Sequence, residues 1–215
     1  MLNILSRLAF KRSTKQWQKH SPELNGTHIA ILATNGFEHS ELWGPLEALK
    51  NAGAIVHILS IHPGKITPWN QNGWGKSILV DMTVQEAWSM DFDALVLPGG
   101  VLNADNLRSN SEAVAFVMSL INKHRPVAAI CHGIQTLIET GAIRGRKLTS
   151  SPSIKTDVEN AGAHWVNKEV VVDHRIITSR GPKDLSLFTR AIIREFSTGR
   201  IQHVLPDLEG MSSTM

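Results

Sequence analysis

Apolar residues in this chain come in two alternating kinds of block: short continuous runs, and longer stretches in which they recur every three or four positions. The runs at 28–33, 55–60, 94–98 and 126–130 are apolar almost throughout, the pattern of strands buried on both faces. Between them Leu42, Leu46 and Leu49 mark one face of a helix closed by Gly53, and Val114, Val117, Met118 and Ile121 do the same over 111–124. Apolar positions 134, 137 and 138 space a further helix that ends at Gly141. A short strand is expected at 147–150, a helix at 154–161, and a hairpin over 165–179 turning at Asp173-His174. A last helix over 183–197 turns Leu185, Phe188, Ile192 and Phe196 inward. Residues 61–83 interrupt the alternation with turn signals at Pro63-Gly64, Asn72-Gly73 and Gly75, which predict a small hairpin excursion whose Trp69 and Trp74 pack onto the body. Strands alternating with helices predict one α/β domain with a mainly parallel sheet covered on both faces. Its ligand site belongs at the carboxyl ends of the strands.

Three segments reach that edge. The one with the most chemistry is Ile130-Cys131-His132-Gly133, where the only cysteine of the chain stands between a strand and a helix. The first N–H groups of a helix favour an anion, so the Cys131 thiol is expected to ionise more easily than a free cysteine. The arrangement follows the logic of the nucleophile elbow, with sulfur in place of a serine oxygen. After the first strand come Glu38 and Glu41. A carboxyl beside a thiol shares a proton with it, and Glu41 is the chosen partner with Glu38 the spare. After the third strand, Gly99-Gly100 offers backbone N–H groups for an oxyanion, together with the N–H of His132. His132 follows the nucleophile directly, so its ring is expected not to fold back onto Cys131 without strain. Asp105, in what reads as the loop after Gly100, is a candidate to orient it, from a neighbouring subunit.

Composition narrows the partners. A single cysteine excludes an internal disulfide and suits a reducing compartment, so a cytoplasmic location is expected. No apolar run approaches the ~18 residues that span a bilayer. The net charge of +3 is concentrated at the start, where residues 1–20 carry Arg7, Lys11, Arg12, Lys15 and Lys19 and no acid. The body is therefore slightly acidic, which argues against nucleic acid as a partner. The segment 1–24 reads as a basic, poorly ordered extension. A surface-binding amphipathic segment, an organelle presequence and an extension without a role all remain open for it. The domain proper is placed at 25–199, with a tail over 200–215. Ten histidines form no helical pair with an intervening acid and no phosphate-binding glycine loop is present, so neither a metal nor a cofactor is expected.

These segments, taken in order, resemble the PfpI/ThiJ family of the class I glutamine-amidotransferase-like superfamily. The strings that carry the resemblance begin with Ile29-Ala30-Ile31-Leu32-Ala33, Gly36-Phe37-Glu38 with Glu41-Leu42, and Asp93-Ala94-Leu95-Val96-Leu97-Pro98-Gly99-Gly100. They continue with Ala129-Ile130-Cys131-His132-Gly133, Gly145-Arg146-Lys147, and Val170-Val171-Val172-Asp173 with Thr178-Ser179-Arg180. Cys-His-Gly, with Asn103 to Arg108 after the double glycine, resembles the PfpI-like branch. The resemblance implies a flavodoxin-like three-layer sandwich, a homodimer or higher homo-oligomer, and a nucleophilic cysteine bonded to the acid matching Glu41. It also implies an acid matching Asp105 that reaches His132 across an interface. The late His-x-Glu of true amidotransferases is absent between 164 and 209, which disfavours amidotransfer.

Three functions compete. The first is a cofactor-free thiol enzyme of stress protection acting on reactive carbonyls, glyoxals or their adducts on protein side chains, in the manner of a glyoxalase or deglycase. The second is an intracellular cysteine peptidase, which needs His132 as an oriented base. The third is a non-catalytic redox sensor whose thiolate is oxidised stepwise.

Overall fold

The computed structural model describes residues 24–70, 73–88 and 90–204, with side chains through 198. The basic extension up to residue 23 and the tail from 205 lie outside the described residues. Leu24, assigned by the sequence to the extension, is fully buried and its N–H donates to the Ala52 carbonyl at 2.8 Å.

The four apolar runs form the centre of one seven-stranded sheet. They are β1 (His28–Leu32), β2 (Ile55–Ser60), β8 (Ala94–Leu97) and β9 (Val127–Ile130). The excursion after β2 supplies β3 (Lys65–Ile66), β4 (Trp69–Asn70), β5 (Gly73–Trp74) and β6 (Ile78–Leu79) as two small antiparallel ladders, then β7 (Met82–Thr83) at the sheet edge. The other edge is the hairpin β12 (Val170–Asp173) and β13 (Ile176–Ser179). Strand order is β12-β13-β9-β8-β1-β2-β7, and every neighbouring pair is parallel except β12/β13.

Alternate residues of each central strand feed opposite layers, as the two-residue strand period requires. Ile29, Ile31, Val96, Ala128 and Ile130 pack with Leu42, Leu46 and Leu49 of α1 (His39–Asn51) and Phe188, Ile192 and Phe196 of the last helix, α7 (Leu185–Val204). Ala30, Leu32, Leu95, Leu97, Val127 and Ala129 face the other side. There they meet α3 (Val101–Arg108), α4 (Ser111–Asn122), α5 (Ile134–Glu139) and α6 (Lys155–Asn160). The short α2 (Val84–Ala87) closes the edge beside β7, fixed by a reciprocal capping box between Thr83 and Glu86.

Four expectations change. Residues 101–108 form α3 rather than a loop, so Asp105 stands on a helix. Lys147–Leu148 (β10) pairs in parallel with His164–Trp165 (β11) and stays outside the central sheet. The last helix continues to Val204, past the expected end at 197. Trp69 and Trp74 are not covered by the body: their rings cross edge to face at 5.3 Å and remain 46% and 57% exposed.

The turn after β9 fits only because Gly133 lacks a side chain. A Cβ there would sit 2.4 Å from the Leu97 carbonyl oxygen and 2.7 Å from that of Pro98, both backbone atoms of the neighbouring strand end. Gly133→Ala is therefore expected to destabilise the fold by about 1–3 kcal/mol, the usual range for overpacking. Chemical denaturation followed by fluorescence reads this directly, and unchanged stability would mean that the turn after β9 has room to move.

Candidate active site

The chain leaves β9 at Ile130 and reverses through a single 3₁₀ turn, Cys131–Gly133, into α5. Cys131 has φ of 61°, a left-handed conformation unusual for a residue with a side chain, and strain of this kind costs roughly 1–3 kcal/mol. That backbone angle does what the sequence reading held to need strain. The His132 ring folds back so that its Nδ1 lies 3.2 Å from Cys131 Sγ. Its Nε2 lies 3.0 Å from the Ser153 hydroxyl, which lies 2.9 Å from the hydroxyl of Ser151.

Glu41 is fully buried in the first turn of α1 and touches the other two segments of the site. Its Oε2 accepts the Gly99 N–H at 2.9 Å, while Oε1 has no nitrogen or oxygen donor and its surroundings include the sulfur. A Cβ on Gly181 would lie 3.7 Å from that Oε1 and 3.9 Å from Cys131 Sγ, so the bare glycine keeps this space open. Glu38 is no alternative partner: its carboxylate caps α1, accepting the Glu41 N–H at 2.8 Å and the Ser40 hydroxyl at 2.7 Å.

The oxyanion assignment needs one correction. The Gly99 N–H is consumed by Glu41, so it is not free for a substrate oxygen. The N–H groups that act on the sulfur are those of Gly100 and His132. Gly100 owes its place to a φ of 95° and to close packing, since a Cβ would meet the Gly36 carbonyl oxygen at 2.2 Å. Asn103, fully buried in α3, holds this corner together. Its amide donates to the Pro98 and Gly99 carbonyls at 2.9 and 3.1 Å and accepts the Thr34 N–H at 2.7 Å.

Electrostatics revises the expected acidity. Burial first, then the charge of Glu38, push Glu41 up to about 8. Burial, then the Glu41 charge, push the Cys131 thiol up to about 12, against the pull of the His132 and Gly100 N–H groups. The thiol is therefore not made acidic by its position before α5. Desolvation beside a carboxyl outweighs the turn's N–H groups, and the pair gives up its protons one at a time. Burial alone lowers His132, which is neutral at pH 7.

Among the described residues Asp105 makes no hydrogen bond to His132, whose ring nitrogens meet Cys131 and Ser153. Asp105 is exposed on α3 and its carboxylate bonds to no described residue. Of the functional contacts, sequence reasoning missed Ser153, Asn103 and Gly181. Only Asn103 carried a signal, as an amide inside the quoted string after the double glycine. Among the described residues no group of three His, Cys, Asp or Glu is arranged to hold a metal ion.

Comparison with known proteins completes the picture. The DJ-1/PfpI family profile matches residues 27–195. The chain belongs to the DJ-1/PfpI family. A deglycase of Thermococcus kodakarensis is 42% identical over 166 residues, 77% of this chain and 97% of its own. A protein/nucleic acid deglycase of Escherichia coli is 41% identical over 167 residues, 77% and 95% of the two chains. A general stress protein of Bacillus subtilis is also 41% identical, over 77% and 95%. Among solved structures, a two-domain protein of Anabaena variabilis with DJ-1/ThiJ/PfpI-like and ferritin-like parts matches with a TM-score of 0.75 at 37% identity. The match covers 87% of this chain and 52% of that longer one. Drosophila melanogaster DJ-1beta superposes with a TM-score of 0.72 at 25% identity, over 84% and 98%. The mostly parallel sheet between two helical layers is the flavodoxin-like sandwich of this family.

The buried Glu41 carboxyl has a thermodynamic consequence. The folded chain holds its proton from the ordinary 4.5 up to about 8, whereas the unfolded chain loses it at the lower value. The folded state therefore binds more protons in this window, and stability falls as pH rises through it. Glu41→Gln removes the titration, so the variant should gain a few kcal/mol on the native protein between pH 5 and 8. Urea denaturation of both proteins at the two pH values measures the difference. Parallel stability curves would show that Glu41 is ionised in the native state.

Proposed function

We propose that this protein is a cofactor-free, cysteine-dependent enzyme that removes reactive carbonyls, as a deglycase or glyoxalase of stress protection. Its substrates would be small dicarbonyls or the adducts they form on protein side chains. The names of its relatives support this reading, and the observation that carries it is a buried, protonated carboxyl beside the nucleophile's sulfur. An aldehyde carbon takes up the Cys131 sulfur once the thiol proton has passed to His132 Nδ1. The oxygen is met by the N–H groups of Gly100 and His132 and receives the proton of Glu41. Glu41 is then a carboxylate, poised to remove the proton from the carbon that bears sulfur and deliver it to the adjacent carbonyl carbon, while the hydroxyl proton crosses to the neighbouring oxygen. The thioester so formed is hydrolysed by water to a hydroxy acid, which regenerates the thiol.

Peptide hydrolysis asks for something else. The leaving amine must be protonated by an imidazolium, and such a cation is normally steadied by a carboxylate on its far nitrogen. His132 has a hydroxyl there and burial disfavours its charge, so the site suits carbonyl addition better than amide cleavage. A homo-oligomer in which Asp105 reaches a neighbour's His132 belongs to the same proposal, because the exposed carboxylate is unengaged within one protomer. No helix among the described residues is long and apolar enough to cross a membrane.

The test compares native protein, Cys131→Ser and Glu41→Gln on methylglyoxal and, separately, on a fluorogenic peptide. Methylglyoxal consumption should be lost in Cys131→Ser and fall roughly 10²–10⁴-fold in Glu41→Gln, the range of one acid–base group. Peptide cleavage should stay at background in all three. Cysteine-dependent peptide cleavage without methylglyoxal turnover would make the peptidase reading correct. Absence of both activities would favour the redox sensor.

A further inference from the structure

We propose that His28 and His57 form an acid-sensitive latch between β1 and β2, a hydrogen-bonded pair that accepts one added proton and opens on the second. The latch lies at the other end of the sheet from the sulfur and is independent of the proposed reaction. His28 opens β1, whereas Cys131 follows the carboxyl end of β9, and the strands from β1 to β9 run parallel.

Register builds the pair. His57 stands opposite Ala30, two residues on from His28, so the two-residue strand period turns both imidazoles to the same face of the sheet. There His28 Nδ1 lies 3.2 Å from His57 Nε2, with ring planes 14° apart and centroids at 5.5 Å. Both residues are half-buried, and the buried Phe92 crosses the His57 ring edge to face at 5.6 Å. Charged groups surround the pair from each neighbouring segment. Asp81, before β7, accepts the Ile58 N–H at 2.7 Å, and its charge favours a proton on His57. Asp93, before β8, accepts the His28 backbone N–H at 2.9 Å and meets the Arg125 guanidinium at 3.5 Å. Asp91 engages Arg125 and Lys123. Among the described residues no carboxylate bonds to either imidazole, so each ring has the other as its partner.

The two steps follow from counting nitrogens. A neutral imidazole carries one N–H and one lone pair. In the neutral pair the N–H of one ring donates to the lone pair of the other, which leaves one lone pair free on the far side of the donating ring. The first added proton goes there, and the bond survives as imidazolium to imidazole. The second finds only the accepting nitrogen. Both facing nitrogens then carry hydrogen, neither can accept, and two cations stand side by side. Burial first, then the charge of His28, hold His57 below its ordinary 6.5, against the pull of Asp81. The folded chain therefore binds the second proton less readily than the opened one does, and acid favours opening as pH falls below that value.

The experiment uses the full chain, native and as His28→Gln, His57→Gln and Asp81→Asn. Long-range ¹H–¹⁵N spectra from pH 8 to 4.5 should show His28 and His57 titrating together in two steps separated by about one pH unit or more. In either glutamine variant the surviving histidine should titrate in one step. Asp81→Asn should move the lower step further down, because it removes the charge that favours the His57 proton. Amide exchange reads the opening itself. Corrected for intrinsic rates and relative to β9, the β1 and β2 amides should exchange roughly tenfold faster at pH 5 than at pH 6.5 in the native protein. Independent single-step titrations of the two native histidines would overturn the proposal. So would native exchange in β1 and β2 that keeps pace with β9 at both pH values, or an acid-induced difference that persists in both glutamine variants.

Discussion

The hydrogen bond from the Gly99 N–H to Glu41 Oε2 is the constraint around which the site is organised. It crosses from the turn after β8 to the first turn of α1, and it can form only because Gly99 has no side chain. A Cβ there would lie 2.3 Å from the same oxygen and 2.7 Å from Cys131 Cβ. Three segments far apart in sequence therefore meet within one side chain's width. The Glu38 N–H completes the tie by donating to the Gly99 carbonyl at 3.1 Å. A carboxyl caught in this crossing has no access to water, and that explains why it keeps its proton far above the range of an exposed carboxylate. Packing and protonation state here have one cause.

The same crowding explains the backbone of Cys131. With Gly99 and Gly133 pressed against its neighbours, the chain has no room for a gradual exit from β9 and turns within one residue at positive φ. The strain has a use, because only this sharp reversal aims the sulfur back at the Gly100 and His132 N–H groups and brings the imidazole alongside. Strained angles of this kind persist where surrounding contacts over-determine them, and the buried packing on both faces of the sheet supplies those contacts.

How much of this could be read from the residues follows from the range of each interaction. The strands β1, β2, β8 and β9 were legible because burial on both faces demands continuous apolar runs, and β2 matches its expected limits. The helix α3 was not, because its outward residues Val101, Leu102, Asp105 and Asn106 outnumber buried Asn103, Ala104 and Leu107 and blur the helical period. The pair β10/β11 has two residues in each strand, too few for any periodicity to show. Within the site, Cys131, Glu41 and Gly100 were visible as residue types at strand ends. The fold-back of His132 was not, since it depends on a φ angle that no residue type encodes for cysteine. Ser153 is a contact across 21 positions between a histidine and an exposed serine, and neither period nor composition marks it. The acidity of the thiol was misread because a helix N-terminus is visible in sequence, whereas the water excluded around a sulfur is not.

Amide cleavage and carbonyl addition place different demands on the protein around the sulfur. An imidazolium needs a carboxylate on its far side and enough polarity to hold both charges, and it is worth that cost when an amine must be protonated as it leaves. Here the ring is half-buried, its far nitrogen faces a hydroxyl within the chain, and the acidic proton of the site sits on Glu41. Carbonyl addition needs a proton delivered to oxygen and later a base for carbon, and one carboxyl that starts protonated performs both in that order. The distribution of protons among Cys131, His132 and Glu41 therefore favours carbonyl addition, even though the three side chains alone would fit either.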